Sequence, residues 1–148
     1  MPVTKRTRTI PAAPETVWQT VGDPHHLARW WPRVTRIEAV HADGFTELLR
    51  SDRGATVRAD FTVTERRAPE LVRWRQEVEG TPFERMLGSS VTTVELEPAD
   101  GGTRVSLRLE QRLRGFARFG GFLVRRAAAR QLEDALSALD ALHGGGGT

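Results

Sequence analysis

The sequence predicts an α+β fold in which a meander of antiparallel strands is followed by one long C-terminal helix. Three observations carry this. Apolar and polar residues alternate through roughly the 80 residues that follow Pro32, the signature of half-covered strands. From about Ala117 to His143 the period changes to 3.6, as a helix requires. Between the first strand and the meander, two prolines ten residues apart mark two helix starts, at Pro14 and Pro24.

Residues 3–10 read as the first strand. In PETVWQTVGDPHHLARWWP, residues 14–32, Pro14 and Pro24 stand where a first helical turn tolerates a missing N–H, and Asp23 is placed to cap the second helix. Pro32 ends the helical stretch. Turns at Asp43-Gly44, Arg53-Gly54, Ala68-Pro69 and Asp100-Gly101-Gly102 then divide the meander. Three strands alternate cleanly and assign inward rows: Val57, Ala59, Phe61 and Val63; Val72, Trp74, Gln76 and Val78; Val105, Leu107, Leu109, Gln111 and Leu113. A weaker strand at 88–97 adds Ser90, Thr92, Val94 and Leu96. Most arginines fall on the opposite faces beside acidic neighbours, which is a solvated sheet surface. In the helix, Leu132, Ala135, Leu136, Leu139 and Leu142 form one stripe. Gly144 opens GGGGT, a left-handed cap followed by a flexible tail, so the expected organisation is one ligand-binding domain over 1–143 and a Gly-rich tail at 144–148.

Composition narrows the chemistry. The chain has 148 residues, 39% hydrophobic and 28% charged, the balance of an ordinary globular domain. At this size about 68–70% of the unfolded surface can be buried, so a core with a cavity needs no metal or crosslink. The absence of cysteine excludes disulfides, thiolate zinc sites and a cysteine nucleophile, and the absence of tyrosine removes a common phenolic acid. The net charge is only +3; the pI near 10.8 reflects that 21 of the 22 basic residues are arginines. Because 19 acidic residues are scattered among them, no nucleic-acid partner is expected. MPVTKRTRTI lacks the apolar core of a signal peptide, and no window reaches the roughly 20 apolar residues of a membrane span, so a cytoplasmic location without an integral membrane segment is expected. The oligomeric state is not legible.

The element order, together with APETVWQTVGDPHHLARWWP near the start and Gly-Gly-Thr-Arg-Val at 101–105, resembles the START-like (SRPBCC) superfamily, specifically the polyketide cyclase/dehydrase and lipid transport family. The resemblance covers nearly the whole chain. Its local signature is a helix carrying Val17 and Trp18, then a second ending in Trp30-Trp31-Pro32. It implies a helix-grip fold: a curved antiparallel sheet of about six to seven strands around the long helix, with a deep cavity between them for hydrophobic small molecules. It does not name the ligand, and no cofactor is expected.

The residues themselves point to incomplete filling. A solid core wants large side chains at every facing position. Extending the Leu132 stripe backwards places Ala128, Arg125 and Gly121 on the same face, two small residues and one cation, so the cavity is expected under the first turns of the helix. Gln76, Gln111, Ser90 and Thr92 put polar groups on inward rows, where each needs a partner, an ordered water or a ligand; solvent contact at strand ends is the alternative for the two glutamines. Arg125 has two readings: a guanidinium that holds a carboxylate or enolate oxygen, or a stem covering apolar surface with its head in solvent. Phe116, Phe119 and Phe122 lead into the helix, Trp30 and Trp31 close the second short helix, and Phe61 and Trp74 lie on inward rows. The candidate ligand-binding set is therefore Trp30, Phe61, Trp74, Gln76, Thr92, Leu109, Gln111, Phe119, Phe122, Arg125 and Ala128, with residues 115–122 as a gate that Gly115, Gly120 and Gly121 would hinge.

Other chemistry is missing from the chain. No phosphate-cradling glycine loop follows a strand, and Gly88-Ser89-Ser90-Val91 lacks the second glycine of a nucleophile elbow. His25 and His26 are adjacent rather than four apart, so no metal site is expected; both, and His41 near the Asp43-Gly44 turn, read as exposed. Glu84 and Arg85 read as a surface ion pair or as rim residues. No inward His, Asp or Glu presents itself as a base. Three functions stay open: binding of an aromatic, polyketide-like or lipid-like molecule; a cyclase, aromatase or dehydratase acting on one; and a protein-interaction module resembling co-chaperone relatives of the fold.

Overall fold

Alternation in the sequence becomes seven strands hydrogen-bonded into one antiparallel sheet in a computed structural model that describes residues 3–51, 53–115 and 120–144. The strands are β1 (Val3–Ile10), β2 (Val34–His41), β3 (Gly44–Arg50), β4 (Thr56–Arg67), β5 (Leu71–Glu77), β6 (Leu87–Ala99) and β7 (Gly102–Leu113), in the spatial order β1-β7-β6-β5-β4-β3-β2. From β2 to β7 the strands form a meander, and β1 lies beside the last of them. The connection from β1 to β2 therefore crosses the whole sheet, and it carries α1 (Pro14–Val21) and α2 (Leu27–Trp30). Both prolines open helical turns, and Asp23 accepts from the His25 backbone N–H at 3.0 Å, as its capping position requires.

Register shifts fall in β2 between Val34 and Arg36 and between Glu38 and His41, in β4 beside Val63, and in β6 beside Leu87. Such bulges add local twist and bend the strands, giving the curvature of a helix-grip sheet. Gly102 enters β7 at φ +145, and a Cβ there would run into the Ile10 carbonyl oxygen, so only glycine lets β1 and β7 close at this end.

The long helix α3 (Gly121–Leu142) lies along β1 and β7 and touches α2. It starts at Gly121 rather than near Ala117; residues 116–119, with Phe116, Ala117 and Phe119, lie outside the described residues. Its stripe is buried at Leu132, Ala135, Leu136 and Leu139, whereas Leu142, the last expected member, is 36% exposed. The last helical turn instead buries Asp140, whose Oδ2 takes an N–H from Arg8 of β1 at 2.6 Å. Beyond the helix Gly144 takes the left-handed conformation, φ +89, and residues 145–148 of the expected tail lie outside the described residues.

The outer sheet face carries the arginines in ion pairs with acidic neighbours, including Arg58–Asp60, Arg73–Glu65, Arg75–Glu77 and Arg108–Glu110. These decorate a wet surface and add little stability individually. The inner face holds the apolar core, from Ile10 and Val17 through Val94, Leu96, Val105 and Leu107 to the helix stripe.

Candidate functional site

The inward rows do not stop at apolar residues. Ser90 pairs with Gln111 across β6 and β7, Gln76 pairs with Phe61 across β5 and β4, and Phe61 pairs with Phe45 on β3. Because Arg75 pairs with Val91, the next position along brings Gln76 beside Ser90. One transverse row thus runs Gln111, Ser90, Gln76, Phe61, Phe45 over the concave face. The neighbouring row contains Leu109, Thr92, Trp74 and Val63. Leu109, Thr92, Trp74, Gln76 and Ser90 are buried, while Phe61 and Gln111 are half-buried.

Aromatic rings cover part of this surface. Trp30 and Trp31 sit edge to face with ring centres 5.3 Å apart, Trp31 meets Trp74 at 6.0 Å, Trp74 meets Phe45 at 5.9 Å, and Phe45 stacks on Phe61 at 5.3 Å. The chain of contacts links the end of α2 to the centre of the sheet, so Trp30 and Trp31 act as a wall facing the row of Gln76 and Phe61. Both tryptophans are nearly fully buried, since Pro32 turns the chain immediately after them.

A groove of about 650 Å3 opens between the first half of α3 and the turn after α2. Val124, Ala127 and Ala128 give its helix side an apolar lining, Gln111 stands in its sheet wall, and Arg33, Arg130, Gln131 and Asp134 contribute polar groups. Arg33 is held with φ +69, and its carbonyl accepts from the Arg50 N–H at 2.9 Å, which fixes the turn that forms this edge. The groove follows the helix flank as far as Asp134, while Leu132 and Leu136 face the core.

Of the predicted set, Gln111 and Ala128 line the groove, and Trp30, Phe61, Trp74, Gln76, Thr92 and Leu109 lie on the buried rows and aromatic wall behind it. Arg125 is exposed and is not part of the groove lining, and Phe122 is 68% exposed, because the first turns of α3 present these positions to solvent. Phe119 and most of the gate segment lie outside the described residues. Arg33 and Arg130 are the cations the groove does contain.

The sequence reading misses Glu47. It lies on β3 between Phe45 and Leu49 and pairs with Ile37 on β2 and Ala59 on β4, so its frame is apolar on four sides. It is 2% exposed and its Oε2 has no hydrogen-bond partner. Burial alone pushes its carboxyl from an ordinary 4.5 up to about 8, which keeps it protonated at neutral pH. The Trp30 Nε1 and Gln76 Nε2 groups are also buried without partners. Clean alternation marks β4, β5 and β7 but not the short β3, so the row Phe45, Glu47, Leu49 escapes notice; its only signal is an acid at an inward position of a two-residue period.

The histidines play no part in this constellation. His25 pairs with Asp23 through Nδ1 at 2.8 Å at the surface, and His41 is exposed. Among the described residues no cluster of His, Asp and Glu has the arrangement of a metal site. Glu84 accepts from the Gly80 N–H at 2.7 Å and so closes a local turn rather than pairing with Arg85.

The model of the polyketide cyclase / dehydrase and lipid transport family matches residues 1–144. The chain belongs to this family. Its helix-grip architecture is shared by solved structures of low identity. Protein CV1439 from Chromobacterium violaceum is 19% identical at a TM-score of 0.76, over 95% of this chain and 96% of that one. TTHA0849 from Thermus thermophilus is 24% identical at 0.74, over 95% of each chain. The di-domain ARO/CYC BexL from the BE-7585A biosynthetic pathway is 12% identical at 0.79, over 96% of this chain but 50% of that one. No curated protein matches this chain significantly. No helix among the described residues of this family member is long and apolar enough to cross a membrane.

Proposed function

We propose that this chain binds a small, largely apolar molecule between the concave sheet face and the first half of α3. The observation that carries the reading is a groove of about 650 Å3 that follows one flank of the helix from Val124 through Ala127, Ala128, Arg130 and Gln131 to Asp134 and faces Pro32, Arg33 and Gln111. That volume is within the range of small-molecule sites, and Pro32, Val124, Ala127 and Ala128 offer apolar contacts beside the polar and charged groups of Arg33, Gln111, Arg130, Gln131 and Asp134. Family membership supports the same reading.

A second reading, cyclisation or dehydration of such a molecule, is favoured by one observation. Glu47 is an inward carboxylic acid kept neutral by its surroundings, the kind of group that can protonate or hydrogen-bond a carbonyl. The structural relatives described as ARO/CYC proteins, BexL and StfQ from the steffimycin biosynthetic pathway, support it as well.

Binding is tested by tryptophan fluorescence titration with naphthalene derivatives in the wild type and in Ala127→Trp. Ala127 is exposed yet lines the groove, so the new indole fills the opening without entering the core. Saturable binding by the wild type and its loss in the variant, with an unchanged circular dichroism spectrum, is the expected result. Equal binding by both proteins would remove the groove from the site.

A further inference from the structure

We propose that the end of the molecule where β7 finishes and α3 begins docks on the surface of a bilayer that contains anionic lipids, with apolar side chains entering the headgroup region and arginines around them holding lipid phosphates. Five large hydrophobic side chains are exposed among the described residues, and four of them, Val3, Met86, Phe122 and Leu123, lie at this end. Val3 opens β1 opposite Glu110, and Met86 stands just before β6, where Leu87 pairs with Leu113 and the Met86 carbonyl accepts from the Arg114 N–H at 2.8 Å. Gly115 and Gly120 are five residues apart, so the start of α3 is at most about 18 Å from the end of β7. Val124 and Gln111 line one groove, which sets the helix start beside that strand. Met86 is 57% exposed, Phe122 68% and Leu123 67%. Large apolar groups gathered at one end of a chain mark an interaction surface, whereas single ones scattered over it would need no account.

The charges at this end are mostly of one sign and unmatched. Elsewhere on the sheet arginines sit beside acids, as Arg108 does with Glu110 and Arg75 with Glu77. Arg85, Arg112, Arg114, Arg125 and Arg126 are exposed and have no ion pair among the described residues. Glu84, the acid next to Arg85, is engaged with the Gly80 N–H. Arg112 and Arg114 run side by side over Gly88, where an added Cβ would come within 3.3 Å of one Cδ and 3.4 Å of the other, and both line a recess of about 660 Å3. Two guanidinium groups with no acid between them repel each other, and the oxygens of a phosphate diester relieve both. The combination selects the partner. A nucleic acid would neutralise the arginines but leave Val3, Met86 and Leu123 in water, whereas an anionic bilayer surface takes the cations at its phosphates and the apolar groups at the acyl boundary. No described helix is long and apolar enough to go deeper, so the contact is with the surface alone.

The test is co-sedimentation with vesicles of phosphatidylcholine alone and of phosphatidylcholine mixed with about one-third phosphatidylglycerol. The proteins are the wild type, Phe122→Ser with Leu123→Ser, Arg125→Glu with Arg126→Glu, and a control of equal charge change, Arg66→Glu with Arg67→Glu, at exposed positions where β4 meets the opposite end of the sheet. The wild type should bind the anionic vesicles at least about tenfold more tightly than the neutral ones at low salt and lose most of that difference at high salt. The serine pair and the Arg125, Arg126 pair should each weaken binding to anionic vesicles about tenfold, with unchanged circular dichroism spectra, because all four side chains face solvent. The control should bind like the wild type. Equal binding of the wild type to both vesicles would overturn the proposal, as would equal weakening by the control, which would reduce the effect to net charge. Tight binding of a single-stranded oligonucleotide, unchanged in the serine pair and without binding to vesicles, would overturn it in favour of a nucleic-acid partner. None of these outcomes bears on the groove, which the fluorescence titration tests separately.

Discussion

Replacing Glu47 by glutamine should change how stability depends on pH, and the direction follows from the fold. In the unfolded chain the carboxyl ionises near 4.5, and in the folded chain near 8 because it is buried among apolar neighbours. Between these values the folded state holds a proton that the unfolded state releases, so stability falls as pH rises through the window and changes no further above about 8. The shift corresponds to a limit of roughly 5 kcal/mol, a large share of the 5–15 kcal/mol that holds most domains folded. The amide of Glu47→Gln does not titrate, so its curve lacks this descent, and the variant should be the more stable protein at pH 8.5. Burial and then Arg29 lower His143, which makes an opposite contribution that grows as pH rises to 6.5. That contribution is common to both proteins and cancels in their difference. Urea unfolding at half-unit steps from pH 4.5 to 9 measures it directly. Parallel curves for the two proteins would refute a neutral, buried Glu47.

Two further perturbations test the frame around the site. Leu132→Ala, at a fully buried position on α3, should cost about 2–5 kcal/mol in urea unfolding, against less than about 0.5 kcal/mol for Leu123→Ala, which is 67% exposed. Gly102→Ala should destabilise by more than about 1 kcal/mol, because it demands φ +145 of an L-residue and drives its methyl group into the Ile10 carbonyl; Gly54→Ala, with open space around it at φ +80, should cost less, and thermal melts of the pair give the comparison.

The fold was legible because its signals are periodic and span whole elements. Val72, Trp74, Gln76 and Val78 alternate over a strand and are all buried, and Leu132, Ala135, Leu136 and Leu139 repeat at helical spacing and are all buried. Asp23 and the two prolines gave the helical starts because capping is local chemistry. The site was harder to read. Arg125 lies on the extrapolated stripe, only about 20° from Leu132 on an ideal helix, yet it is exposed and outside the groove lining, because whether a stripe is covered at the helix start depends on what packs there and not on its spacing. Arg33 and Arg130 reach the groove through tertiary placement that no spacing reveals. Glu47 breaks the rule that acids on strands face water, and a single exception in a seven-residue strand carries too little periodic weight to stand out.

Through its two faces, α3 explains how a domain of this size can keep a groove and remain folded. Its C-terminal half supplies the buried leucines and the Arg8–Asp140 contact, which tie the helix to β1. Its first turn has neither a side-chain cap nor an acidic residue, and the groove follows the helix flank from Val124 to Asp134. Stability and space thus occupy different faces of one helix. A substitution on the packed face should therefore lower stability without altering binding in the groove, and one on the groove flank should do the reverse. Because Leu132 and Ala127 lie five residues apart on different sides of the helix, the stability costs of Leu132→Ala and Ala127→Trp should add within about 0.5 kcal/mol in the double variant. A larger coupling would mean that the groove flank and the packed face form one cooperative core, and the groove would then be a packing defect of the helix rather than a room set apart for a ligand.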